Sequence, residues 1–108
     1  MKVNLGPLEH LVMSIIWSQE KATVYSVIEE LKTKKDLAYT TVMTVMCRLV
    51  CKGILKREKV GKVYYYKPAQ TKKVFLRALI KKNISNCISR YGEEAKQTYI
   101  EEIKSLLK

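Results

Sequence analysis

The apolar period of this chain changes near its middle and later changes back, and that switch limits the folds open to it. Up to Lys52 the apolar residues recur every three or four positions. From Ile54 they sit in two β-prone runs, Ile54-Leu55-Lys56-Arg57-Glu58-Lys59 and Val63-Tyr64-Tyr65-Tyr66-Lys67. Val60-Gly61-Lys62 separates the runs and Pro68 closes the second, which predicts a two-stranded hairpin turning at the glycine. Gly53 stands at the changeover, where a left-handed residue ends a helix. Beyond Gln70 helical spacing returns.

Three helices precede the hairpin. Pro7 suits a first helical turn, and Leu8, Leu11, Val12, Ile15 and Ile16 follow at helical spacing, closed by Trp17. After the polar link Ser18–Lys21, Ala22-Thr23-Val24 reads as a short extended piece. Val24, Val27, Ile28 and Leu31 mark a second helix, with Thr23 or Ser26 near its start. Thr33-Lys34-Lys35-Asp36 breaks the pattern. A third helix runs from about Ala38 to Lys52, with Val42, Val45, Met46, Leu49 and Val50 facing inward. Three helices and then a hairpin predict a mostly α fold: a winged helix-turn-helix followed by a helical tail.

The tail carries Val74, Phe75, Leu79 and Ile80, then Ile84, Cys87, Ile88 and Tyr91, a break at Gly92, and Ala95, Tyr99, Ile100, Ile103, Leu106 and Leu107. Short helices are marginal alone in water and must bury such stripes. A second copy is the expected cover, because two-fold dimers are the commonest oligomers. The expected division is therefore a winged-helix DNA-binding domain over 1–70 and a helical dimerisation region over 71–108. Phe75, Leu79, Ile84, Ile88, Tyr91, Tyr99, Ile103 and Leu106 are its candidate dimer residues.

Charge narrows the partner. The 108 residues hold 21 Lys and Arg against 10 Asp and Glu, a net charge of +11, and so attract polyanions. No apolar run is long enough to span a bilayer, and Met1–Pro7 lacks a signal-peptide layout, so no membrane role and a cytoplasmic location are expected. Three cysteines, an odd number, do not suggest a disulfide framework. The chain has one histidine, His10, read as a solvated surface residue, and no phosphate loop or HExxH motif. No catalytic activity, cofactor or metal is expected on these grounds.

In a helix-turn-helix the second helix of the motif enters the major groove with its N-terminal residues toward base edges. Here that helix offers Tyr39, Thr40, Thr41, Thr44 and Arg48 for phosphates or bases. Lys56, Arg57, Lys59 and Lys62 place positive charge on the wing, where a duplex backbone would pass. Tyr64-Tyr65-Tyr66 alternates across the sheet, so the middle ring faces away from its neighbours; most of this aromatic surface is expected to be packing.

Leu8-Glu9 with Ile15-Ile16-Trp17, Ala38-Tyr39-Thr40-Thr41-Val42 with Arg48-Leu49, and Lys52-Gly53-Ile54-Leu55 into Val63-Tyr64-Tyr65-Tyr66 resemble the penicillinase-repressor family, which includes methicillin-resistance and copper-responsive repressors. The resemblance is close over about the first seventy residues. It implies a homodimer on a palindromic operator, reading double-stranded DNA through Tyr39, Thr40, Thr41, Thr44 and Arg48 with the wing on the backbone.

In β-lactam-responsive members of that family a sensor protease leads to cleavage at an Asn-Phe bond in the tail. This chain has Arg90-Tyr91 at about that place, and it lacks the paired CxC motifs of the copper-responsive branch. The inducing signal, including any sensor protease, stays open. Cys47 and Cys51, off the main apolar stripe, are a candidate soft-metal or oxidant site. Two other readings of the chain also stay open: a non-specific architectural DNA-binding protein, and a winged-helix protein-interaction module.

Overall fold

A computed structural model describes all residues, Met1–Lys108. The elements run α1 (Pro7–Gln19), α2 (Val24–Leu31), α3 (Tyr39–Cys51), β1 (Leu55–Val60), β2 (Val63–Pro68), α4 (Lys72–Tyr91) and α5 (Glu94–Leu106). Two compact units result, Met1–Lys72 and Lys73–Lys108. The first is the expected winged helix-turn-helix.

Its core comes from one stripe of each helix. Val12, Met13 and Ile16 of α1, Val24, Val27 and Leu31 of α2, and Val42, Val45, Met46 and Leu49 of α3 are buried, with Ile54, Leu55 and Tyr66 from the hairpin side. Ile28 and Val50 lie at the margin of the stripes predicted for them and remain partly exposed. Met13, absent from the predicted stripe, is fully buried.

Local chemistry sets the helix ends. Thr23 caps α2 in a reciprocal box: its hydroxyl accepts from Ser26 N–H at 3.1 Å, and its own N–H donates to Ser26 Oγ at 2.9 Å. Ser26 Oγ also donates to Gln19 Oε1 at 2.8 Å, joining the end of α1 to the start of α2. Gly53, at φ +79°, ends α3. Ile54 N–H reaches Leu49 O and Gly53 N–H reaches Val50 O, both at 3.0 Å, which completes a Schellman motif.

In the hairpin Leu55 pairs with Pro68, Arg57 with Tyr66 and Lys59 with Tyr64, across a two-residue turn with Gly61 at φ +64°. A left-handed first turn position matches the right-handed twist of the flanking strands. The extended piece predicted at Ala22 adds a single bridge to this sheet. Ala22 N–H donates to Tyr66 O at 2.9 Å, and Tyr66 N–H to Ala22 O at 2.7 Å.

Residues ahead of α1 join the fold as well, which periodicity does not reveal. Val3 is buried, and Lys2 N–H donates to Lys52 O at 2.9 Å. Lys52 Nζ donates to Asn4 O at 3.0 Å and to Glu9 Oε1 at 2.9 Å. Glu9 Oε1 also accepts the Gly6 N–H at the start of α1.

The second unit is two helices. Stripes expected on short helices lie on one continuous helix of 20 residues, α4. Gly92, at φ +84°, stops it. Ile80, Asn83 and Ile84 of α4 and Tyr99, Ile100, Ile103 and Lys104 of α5 line an open groove of about 490 Å³. Phe75 is buried at 2% exposure, whereas Tyr91, Ile103 and Leu106 are 73%, 53% and 79% exposed. No helix is long and apolar enough to cross a membrane.

Candidate nucleic-acid interface

The helix α3 is anchored on one side and open on the other. At about 100° per residue, Val42, Val45, Met46 and Leu49 point into the core, and Thr40, Thr44, Cys47 and Cys51 form the opposite row. Thr41 and Arg48 flank this row on one side, Tyr39 and Met43 on the other. Thr40, Thr41, Thr44 and Arg48 are exposed, and Tyr39 is 40% exposed. The five residues expected to read DNA thus share the surface that the core leaves free.

The start of α3 lacks a side-chain cap. Ala38 is the N-cap and offers no oxygen, so the threonines beside it do not serve as caps. The positive end of the helix dipole therefore faces solvent, where anionic oxygens are favoured. Further along, Thr44 Oγ1 donates to Thr40 O at 2.8 Å. With its proton committed to the helix, Thr44 presents acceptor lone pairs and a methyl group outward.

The hairpin sorts its cations onto two faces. The register puts Arg57, Lys59, Tyr64 and Tyr66 on one face and Lys56, Glu58, Tyr65 and Lys67 on the other. Arg57 lies 4.5 Å from the Tyr64 ring centroid and Lys59 5.6 Å from it. A hydrogen bond to the Tyr66 hydroxyl holds the Arg57 guanidinium even more firmly in its charged form. Arg57 Nη1 also donates to Cys47 Sγ at 3.8 Å, which turns this cation toward α3. Of the four predicted wing cations, then, Arg57 and Lys59 are brought together, Lys62 sits at the turn, and Lys56 points away.

As expected from alternation, Tyr65 faces away from Tyr64 and Tyr66, and Lys21 lies 4.6 Å over its ring. Most of this aromatic surface is covered, as expected: Tyr66 is buried and Tyr65 half-buried, while Tyr64 is 42% exposed. Alternation predicted the direction of each ring but not its depth.

One aromatic residue was missed by sequence reasoning. Tyr25 is 69% exposed and its ring centroid is 4.9 Å from that of Tyr39, at 45°. The signal was a large aromatic off the Val24, Val27 and Leu31 stripe. Tyr25, Tyr39, Met43, Lys62 and Tyr64 line a groove of about 340 Å³ between the start of α3 and the wing. No group of three or more His, Cys, Asp or Glu is placed to hold a metal ion.

An exposed helix row beside a cation-bearing hairpin defines a winged-helix DNA-binding regulator. Comparison with known proteins agrees. Residues 5–107 match the model of the penicillinase repressor family. The methicillin resistance regulatory protein MecI of Staphylococcus aureus strain N315 is 29% identical, over 96% of this chain and 93% of that protein. The transcriptional regulator BlaI of Mycobacterium tuberculosis is 44% identical over 66 residues, 60% of this chain and 48% of its own length. Monomeric BlaI of Bacillus licheniformis, in complex with the blaP half-operator, superposes with a TM-score of 0.56 at 30% identity, over 67% of this chain and 89% of that one.

The chain belongs to the penicillinase repressor family. Members of this family are transcriptional repressors rather than enzymes.

Proposed function

We propose that this protein is a sequence-specific repressor that binds an inverted-repeat operator as a homodimer in the cytoplasm. Residues 1–70 are the reader. Helix α3 lies in the major groove, with Thr40, Thr41, Thr44 and Arg48 toward base edges and Tyr39 toward the backbone. Arg57, Lys59 and Lys62 meet phosphates of the flanking backbone, and Lys56 adds only long-range attraction. The carrying observation is the row opposite the core: exposed, uncapped at its positive end, and free of carboxylates.

Residues 71–108 supply the dimer contact. Ile103 and Leu106 are large apolar side chains more than half exposed on a short helix, and Ile84 and Tyr99 line the groove beside Ile103. A second copy of the same surface covers them and gives the two-fold symmetry that an inverted repeat requires. Ile88 and Tyr91 share the Ile84 side of α4 and extend the same surface, whereas Leu79, nine residues before Ile88, lies on the opposite side with Phe75. Phe75 is already buried and is left out of it.

Selection of bound duplexes from a random DNA pool tests the proposal. The expected product is an inverted repeat whose half-sites lie about one helical turn apart, or a multiple of that. A pool that stays random favours the architectural reading, and a pool with no retained DNA favours the protein-interaction module.

A further inference from the structure

Two thiols lie in the C-terminal half of the exposed row of α3, and the DNA reading proposed above makes no use of them. Cys47 and Cys51 continue the row begun by Thr40 and Thr44. Both are free; Cys51 is exposed and Cys47 is partly exposed. The guanidinium of Arg57 lies against Cys47 Sγ.

Spacing decides which chemistry suits them. Helical residues four apart hold their Cβ atoms about 5–6 Å apart. A disulfide needs about 3.5–4.5 Å, so these thiols cannot join without distorting α3. One soft ion fits better, because two metal–sulfur bonds of about 2.3 Å laid end to end span about 4.6 Å. Four-coordinate zinc needs further protein ligands that this surface lacks. Soft monovalent ions accept thiolate ligation and are satisfied by two.

We propose that Cys47 and Cys51 form a two-thiolate site for a soft, linearly coordinated monovalent ion of the Ag(I) or Cu(I) class, and that loading it releases α3 from DNA. The release rests on the operator reading above; the site does not. Each thiol gives one proton to solvent and forms one metal–sulfur bond, with no change of oxidation state. Two neutral thiols and one monovalent cation become a complex of net charge −1. That charge lies on the surface that would meet phosphates. Arg57 is drawn to the anionic complex and away from the backbone. Both effects weaken docking.

The test uses the full chain, reduced, in chloride-free buffer with Ag(I) as the probe and excess free methionine to strip singly held ions. Native mass spectrometry counts ions per chain, and fluorescence anisotropy follows a labelled duplex recovered from the random pool. Cys47→Ser/Cys51→Ser is compared with Cys87→Ser, and circular dichroism checks that each variant is folded.

Wild type and Cys87→Ser should each hold one ion and lose duplex affinity by about tenfold or more on loading. The double variant should hold none, and its duplex affinity should not respond to silver. A folded double variant that still holds one ion overturns the site. An ion held by the pair with no change in duplex affinity overturns the release. If the metal-free protein discriminates no duplex, the operator reading fails, while the ion count still decides the site.

Discussion

The Glu9 carboxylate and the Lys52 ammonium lie 2.8 Å apart and tie the first turn of α1 to the end of α3. The two residues are 43 positions apart in the chain, and their side chains are only 13% and 27% exposed. The same ammonium also holds Asn4 O, so one charge gathers the N-terminal segment, α1 and α3.

Burial pushes the Glu9 carboxyl up. The Lys52 hydrogen bond, the Gly6 N–H and the charges of Lys52 and Arg48 outweigh it and hold the group below its ordinary 4.5. A depressed folded value means that the unfolded chain takes the proton first on acidification. The contribution of Glu9 to stability is therefore complete above about pH 4.5 and is lost as pH falls through the folded value. Glu9→Gln should cost about 1–3 kcal/mol at neutral pH and shrink this acid-side loss. Urea unfolding at pH 7 and below pH 4.5 measures both; an unchanged midpoint at pH 7 refutes the role given to the pair.

Gly53 holds φ +79°. An added Cβ would meet Met1 Cα at 3.7 Å, ordinary contact, so conformation rather than crowding sets the cost. Gly53→Ala should destabilise the winged-helix unit by about 1–2 kcal/mol, read as a lower thermal midpoint.

Within the exposed row of α3, Thr40 and Thr44 differ in one respect. The Thr44 proton is already donated to Thr40 O. Thr44→Val, which keeps the outward methyl, should therefore cost less specific affinity than Thr40→Val. Arg48→Ala should cost about 1–3 kcal/mol on the selected duplex if it reads a base, and much less on random DNA. Anisotropy titrations on both duplexes measure these differences.

The hairpin faces predict an asymmetry among like charges. Replacing Arg57, Lys59 or Lys62 by Ala should each lower the slope of log affinity against log salt by about 0.9, one phosphate contact apiece. Lys56→Ala should leave the slope nearly unchanged, because register sends it to the other face. Equal slopes for all four variants would show that the wing acts only as diffuse charge.

In the tail, Ile103 is 53% exposed on the groove between α4 and α5. Ile103→Asp should move sedimentation from dimer toward monomer while far-ultraviolet circular dichroism stays folded. A variant as dimeric as wild type would take α5 out of the interface.

How much of this was legible depends on the range of the interaction that fixes each feature. Periodicity revealed α1 to α3 because each buries one stripe, and Gly53 marked the end of α3 because its φ and the hydrogen bonds of the Schellman motif are local. The hairpin was legible from alternation around Gly61. The buried Val3, the Glu9–Lys52 pair and the Ala22–Tyr66 bridge were not, since each joins segments more than forty positions apart or lies outside any periodic run. Periodicity also located the exposed row of α3 without its details: the proton committed by Thr44, the turn of Arg57 toward Cys47 and the Tyr25–Tyr39 contact are set by contacts that periodicity does not carry.

The central claim is that α3 reads sequence, and one ratio tests it most directly. The dissociation constants of the wild-type protein for the selected inverted repeat and for a scrambled duplex of equal length should be measured at one fixed, near-physiological salt concentration. A ratio of at least about 10³ in favour of the repeat is predicted. Equal constants, with binding that falls steeply with salt on both duplexes, would contradict it and leave only a basic protein that holds DNA by charge.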